Sequence, residues 1–243
     1  MESKNIILFV TDLHGDVSVY EELFRLGAGM NVKAIIIGGD ITPFMMGTGE
    51  ENIAIQRDFI KTYLIPRISK FKKDHKKVVF LMFGNDDFKV NYDLLIQAEK
   101  KGVLKLLHQG IHKLNDWTLR GYSFVNPTPF FIKDWERKEK DIEKDLKEIE
   151  NQCAEKSLIV FHAPPINTNL DIIYTGEHVG SKSIRKFIEK AQPTMTLHGH
   201  IHESPEISGN TMDKIGETIC INPGNAKIIL IDLDNPKNII FTK

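Results

Sequence analysis

Asn5-Ile6-Ile7-Leu8-Phe9-Val10-Thr11-Asp12-Leu13-His14-Gly15-Asp16 is an apolar run that stops abruptly at acidic and imidazole side chains. The run is too short for a helix and reads as a strand covered on both faces. Asp16 reads as the N-cap of a following helix. In extended chain, residues i and i+2 point the same way, so Asp12 and His14 are expected to reach one point from one strand end. The same form recurs along the chain. The run at 32–37 ends in Gly38-Gly39-Asp40, and 78–83 ends in Gly84-Asn85-Asp86-Asp87. Likewise 157–161 ends in His162-Ala163-Pro164-Pro165, and 194–197 ends in His198-Gly199-His200-Ile201-His202.

Each cluster alone has an ordinary explanation. Asp40 after two glycines is a common turn residue, and so is Asn85-Asp86. The inference comes from five apolar runs that all stop at metal-competent side chains, since ligands of α/β sheets bind outside the carboxyl ends of strands. Asp12, His14, Asp40, Asn85, His162, His200 and His202 supply oxygen and nitrogen donors and no thiolate. That set suits borderline divalent metals such as Mn, Fe, Zn or Ni, and Mn is the one expected here. Seven donors exceed one tetrahedral shell, so two divalent ions about 3.5–4 Å apart, sharing one carboxylate, are expected.

Early strands alternate with helical patterns at 16–28, 50–73 and 91–101, which argues an α/β layered fold. Beyond residue 102 the runs at 103–107, 110–114 and 117–124 lie close together, as hairpins do, so mixed sheets are expected. Further strands are read at 217–221 and 227–232. The Lys/Glu-rich stretch 134–156 carries Ile142, Leu146 and Ile149 at helical spacing and reads as an amphipathic surface helix. Pro127, Pro129, Phe130 and Phe131 before it, and Trp135 at its start, place apolar bulk beside the polar clusters. Packing on the core is the expected role, and a rim around a substrate is the alternative.

The 243 residues hold 32 Lys+Arg and 33 Asp+Glu, a net charge of −1. That balance lacks the basic footprint of a nucleic-acid binder, so no nucleic-acid partner is expected. No stretch reaches the ~20 apolar residues of a membrane span, and no linker separates domains, so a single domain over 1–243 in the cytoplasm is expected. Cys153 and Cys220 do not make a disulfide framework and read as free thiols. His108 and His112 flank Gly110 with no Glu after the first, so a zinc-protease helix is excluded and two surface histidines are expected. Neither a P-loop nor a Gly-x-Ser-x-Gly elbow occurs.

In order, Asp12-Leu13-His14, Gly39-Asp40, Gly84-Asn85-Asp86, His162 and Gly199-His200-Ile201-His202 resemble the motifs of the calcineurin-like metallophosphoesterases. The match looks closest to a small archaeal and bacterial type that also carries the motifs seen here at 126–130, 162–165 and 222–224. The resemblance spans residues 7 to about 225. It implies a sandwich of two mixed β-sheets flanked by helices and a small phosphate-ester substrate, with a diester preferred. One metal would be held by Asp12, His14, Asp40 and His202, and the second by Asp40, Asn85, His162 and His200. The implied reaction is in-line attack by a bridging hydroxide.

One departure bears on mechanism. Asp86 stands where many members carry the His that protonates the leaving group. An ordinary Asp, with a pKa of about 3.9, is ionised near neutrality and gives no proton. Asp86 and His198 are the two residues considered for the acid. A non-catalytic binding module that keeps this fold is the rival reading, and a full set of seven donors argues against it.

Overall fold

The computed structural model describes residues 5–150, 153 and 155–241. The chain forms two compact units, Met1–Leu106 with Ala226–Lys243, and Leu107–Asn225. Each holds one mixed six-stranded sheet flanked by helices, the expected α/β layering and mixed pairing, although the runs at 103–107 and 110–114 fall in different sheets and only 110–114 and 117–124 form a hairpin.

In the first unit, β1 (Ile6–Val10), β2 (Val32–Ile37), β3 (Val78–Leu81) and β4 (Lys105–Leu106) are parallel neighbours. Both β11 (Ile229–Asp232) and β12 (Ile239–Phe241) add antiparallel, giving the order β12-β11-β1-β2-β3-β4. Ile7, Leu8, Phe9, Ile35, Ile36 and Ile37 are wholly buried, as the unbroken apolar runs require. The helices are α1 (Val17–Gly27), α2 (Gly49–Phe59), α3 (Ile65–His75) and α4 (Tyr92–Lys100). Asp16 caps α1 by accepting the Ser18 and Val19 N–H groups at 2.9 and 3.3 Å, the role its position suggests. The helical pattern at 50–73 appears as α2 and α3 joined by a π-helical turn at Ile60–Leu64. Pro66 lacks the N–H that would bond the Thr62 carbonyl and crowds it sterically. A wider turn accommodates that loss.

The second unit has the strand order β5-β6-β7-β8-β10-β9. Here β6 (Trp117–Tyr122), β7 (Ser157–Phe161), β8 (Met195–Leu197) and β10 (Thr218–Ile221) run parallel. The antiparallel edges are β5 (Ile111–Leu114) and β9 (Met212–Ile215). Its helices are α5 (Glu139–Glu150), α6 (Lys182–Ala191) and α7 (Ser204–Ser208). Ile142, Leu146 and Ile149 form the buried stripe of α5. The helix begins later than residue 134 because Val125 and Glu136 pair as a β-bridge. Residues 151, 152 and 154 of that expected helix lie outside the described residues. Among the described residues no helix is long and apolar enough to cross a membrane.

Two expectations need correction here. His108 is not a surface histidine: its ring lies 5.1 Å from Trp135 and 5.2 Å from Phe124 between centroids. Its Nδ1 accepts the Ser123 N–H at 3.0 Å, and the residue is half-buried. Trp135 packs in the core, but Phe130 is 60% and Phe131 101% exposed. The loop is held outward locally, by Thr128 and Lys133 bonding Glu136 and by Phe130 N–H on Thr128 Oγ1 at 3.2 Å. Phe131→Ser is expected to change the unfolding free energy by less than about 0.5 kcal/mol, as for other surface substitutions. Urea unfolding checks this, because a core phenylalanine would lose about 3–5 kcal/mol on truncation.

Candidate functional site

In the first unit the exits of β1, β2 and β3 are bound to one another. Asp12 N–H donates to the Gly39 carbonyl at 3.0 Å and His14 N–H to the Asp40 carbonyl at 2.8 Å. Neither donor sits on extended chain, contrary to the reading of residues i and i+2. Asp12 has φ 54° and His14 φ 43°, and Asp40 has φ 49°. All three occupy the left-handed region, which Asp, Asn and His enter more readily than other side chains. The chain turns out of the sheet at each exit, and the turn brings the donors together where an extended strand would not. One ligand atom each from Asp12, His14 and Asp40 lies within 4.8 Å of the others. Gly15, at φ 76°, completes the turn because Pro43 fills the space a Cβ would need, 2.4 Å away.

The third exit is tied to the second through Asp40 and Asp87. Asp86 N–H donates to Asp40 Oδ1 at 2.8 Å. Asn85 Nδ2 donates to Asp86 Oδ1 at 2.7 Å, and with its amide nitrogen committed there Asn85 offers an ion its carbonyl oxygen. Asp86 Oδ2 lies 3.9 Å from His14 Nδ1. Asp86 thus sits beside the donor cluster as a hydrogen-bond acceptor.

Asp87 is the residue the sequence reading passes over. It is fully buried and accepts Ile41 N–H at 3.1 Å, Thr42 N–H at 2.9 Å, Thr42 Oγ1–H at 2.5 Å and Gly84 N–H at 2.8 Å. Burial, and then the neighbouring Asp40 charge, push its carboxyl up to about 6. Its bonds fix the segment after Asp40 against the segment before Asn85.

The second unit brings its imidazoles together in a similar way. Gly199 N–H donates to the His162 carbonyl at 3.0 Å, and His198 N–H to the Ile221 carbonyl at 2.7 Å. His200 turns with φ 66°. Its ring lies 5.5 Å from that of His162 between centroids, at 48°. His202 follows on the same turn, half exposed, with Nδ1 3.7 Å from Glu203 Oε2. Asn222 is buried behind this turn. Its Nδ2 donates to the Ile201 and Leu170 carbonyls at 3.0 and 3.2 Å, and its Oδ1 accepts Gly224 N–H at 3.0 Å. The motif at 222–224 is thereby a clasp for the histidine turn.

His198 does not have the surroundings of an acid. It is fully buried and its ring stacks on Phe161 at 6.0 Å. Its Nδ1 lies 3.0 Å from the Ala163 carbonyl and its Nε2 2.8 Å from Thr196 Oγ1. A carbonyl only accepts, so Nδ1 carries a hydrogen toward Ala163. Burial lowers the pKa to about 3, which disfavours the charged ring, and both nitrogens already have partners beside the His162 exit and on β8.

The donor chemistry fits divalent cations. Carboxylate oxygens, an amide oxygen and imidazoles are present without thiolate ligands, and the free thiols Cys153 and Cys220 are half-buried and buried. Mixed oxygen and nitrogen donors suit borderline divalent metals. A sequence description of the calcineurin-like phosphoesterases matches residues 6–204. An uncharacterized protein of Methanocaldococcus jannaschii, MJ1162, is 30% identical over 231 residues, which is 93% of this chain and 91% of that protein. The crystal structure of TT1561 of Thermus thermophilus superposes with a TM-score of 0.72 at 14% identity, over 99% of both chains. A putative 5'-nucleotidase from Staphylococcus aureus gives a TM-score of 0.52 at 15% identity, over 99% of this chain and 53% of that one.

Proposed function

The chain belongs to the calcineurin-like phosphoesterase family, and from that premise we propose that it hydrolyses small phosphate diesters in preference to monoesters at a centre of two divalent ions, with Mn the first choice. The observation that carries the reading is the donor group Asp12, His14 and Asp40, gathered within 4.8 Å. In this proposal those three hold one ion together with His202. Asn85, His162 and His200 hold the second, with Asp40 shared, and the two units work as one catalytic domain in the cytoplasm. When bound, such a pair supplies Lewis acidity toward the phosphoryl oxygens and a water of lowered pKa.

The residues of the chain supply the order. Asp87 and Asn222 keep the ligand-bearing turns in place through backbone bonds. His198 is buried beside the His162 exit, where its Nδ1 bonds the Ala163 carbonyl. The preference for diesters rests on the family reading, and comparing the two substrate classes tests it.

Protein freed of metal with a chelator is expected to hydrolyse neither bis(4-nitrophenyl) phosphate nor 4-nitrophenyl phosphate. Added Mn restores hydrolysis, faster for the diester, and metal analysis reads two ions per chain. Ligation of the folded state alone stabilises by about 2.7 kcal/mol at a hundredfold excess over Kd, so the melting temperature rises with Mn. One ion per chain sinks the dinuclear reading. Mn binding without any hydrolysis would favour a binding module.

A further inference from the structure

Cleavage of a phosphate ester leaves an oxygen that needs a proton unless it departs as a stable anion. In the second unit one part-exposed imidazole, His178, is held by a buried carboxylate. Residues 163–181, between His162 and α6, fold around the wholly buried Asp171. Its oxygens accept Thr168 N–H at 2.8 Å, Gly180 N–H at 3.0 Å and Asn167 N–H at 3.2 Å. The Thr168 hydroxyl also reaches Oδ1, at 3.3 Å. A further contact differs in kind: His178 Nδ1 lies 2.7 Å from Asp171 Oδ1, with the His178 side chain 37% exposed.

A buried carboxylate fixes the ring by taking its Nδ1 hydrogen. Nε2, on the far side of the ring, is then the atom from which a proton can be passed. The loop is fastened to the turn that carries His200 and His202. His178 pairs with Ile172 as a β-bridge, and Ile172 N–H donates to Ser204 Oγ at 3.0 Å. Ser204 Oγ in turn donates to the Asn169 carbonyl at 2.9 Å. Asn222 bonds both Leu170 of the loop and Ile201 of the turn. At its far end the loop is held by Glu139, which accepts Ser181 Oγ–H at 3.0 Å and Ser183 N–H at 2.8 Å. Gly180 permits the closure, since a Cβ there would stand 2.7 Å from the Pro164 carbonyl and 2.9 Å from Asp171 Cβ.

We propose that His178, held by Asp171, donates the proton to the leaving oxygen, an inference that rests on the hydrolase reading above. The oxygen of water forms the new bond to phosphorus and the bond from phosphorus to the leaving oxygen breaks. Its electron pair stays on that oxygen, which takes the Nε2 proton. The proton released by the attacking water returns to His178 through solvent. This is the service that an ionised Asp86 does not provide.

The test compares aryl and alkyl diesters whose leaving oxygens range from the weakly basic 4-nitrophenolate to an alkoxide. His178→Gln is expected to slow the alkyl ester by about 10²–10⁴-fold, the usual worth of general acid catalysis. The 4-nitrophenyl ester slows far less, so the dependence on leaving-group basicity steepens. Mn affinity, read by titration calorimetry, stays at the wild-type value. Asp171→Asn, which keeps an acceptor but not the charge, is expected to fall between. Equal losses on both leaving groups, no loss on either, or a weakened Mn affinity would each overturn the proposal. A wild type that cleaves no ester removes the hydrolase reading and this inference with it, whereas an active wild type with an unaffected His178→Gln removes this inference alone.

Discussion

Asp40→Asn is expected to lower kcat/KM for bis(4-nitrophenyl) phosphate by at least about 10³-fold. Lewis-acid stabilisation of a phosphoryl transition state is worth several kcal/mol, and about 1.4 kcal/mol is a factor of ten. The shared carboxylate of the proposed centre weakens both ions when it loses its charge. The substitution is a clean one for the fold. Asn tolerates the left-handed backbone found at Asp40, and its amide oxygen still accepts the Asp86 N–H that Asp40 Oδ1 accepts now. A melting temperature near that of the metal-free wild type, with Mn content well below two ions per chain, accompanies the loss. Wild-type turnover in Asp40→Asn would show that this carboxylate is no ligand.

Asp87→Ala acts on the scaffold. Removing the carboxylate leaves the buried N–H groups of Ile41, Thr42 and Gly84 without the acceptor they now share. An orphaned buried donor costs about 1–3 kcal/mol, so three of them amount to a destabilisation of about 3–9 kcal/mol. Native stability is itself only about 5–15 kcal/mol. Urea unfolding of metal-free protein reads this directly. A change below about 1 kcal/mol would mean that the segments after Asp40 and before Asn85 hold each other without Asp87.

The donors of the candidate site are legible in the sequence because each follows an apolar run and each run became a strand. β1, β2, β3, β7 and β8 end within a few residues of Asp12, Asp40, Asn85, His162 and His200. The geometry that gathers them is another matter. Extended spacing suggests Asp12 and His14 on one side of a strand, whereas left-handed backbone brings them together. Periodicity reports which face a residue takes within an element, and these residues lie beyond the last paired residue. Asp87 is illegible for a related reason: beside Gly84-Asn85-Asp86 it looks like one more turn residue, and only long-range bonds to Ile41 and Thr42 reveal its work. The partnership of Asp171 with His178 joins residues seven apart in a loop without periodicity. Phe130 and Phe131 mislead in the other direction, since composition gives their apolarity but not the direction in which a two-proline loop points them. No pattern above anticipates α6, or β9 with its alternating Met212-Asp213-Lys214-Ile215. The early alternation of strand and helix, by contrast, is read correctly, because long apolar runs bounded by glycine leave little choice of element.

The positive φ values of Asp12, His14, Asp40 and His200, from 43° to 66°, also narrow the routes by which such a chain can drift. At those positions Asp, Asn, His and Gly fit the backbone, while Val, Ile or Thr are strained there. A gene copy released from selection for catalysis would still be selected for folding. Its losses would accumulate first as Asn or Gly, which remove a charge or a donor and leave the turns intact. Such a descendant would keep the architecture and part of the polarity after turnover had gone. Inactive relatives of this chain are thus expected to announce themselves by Asn or Gly at these four places, and a β-branched residue there would mark a turn already rebuilt.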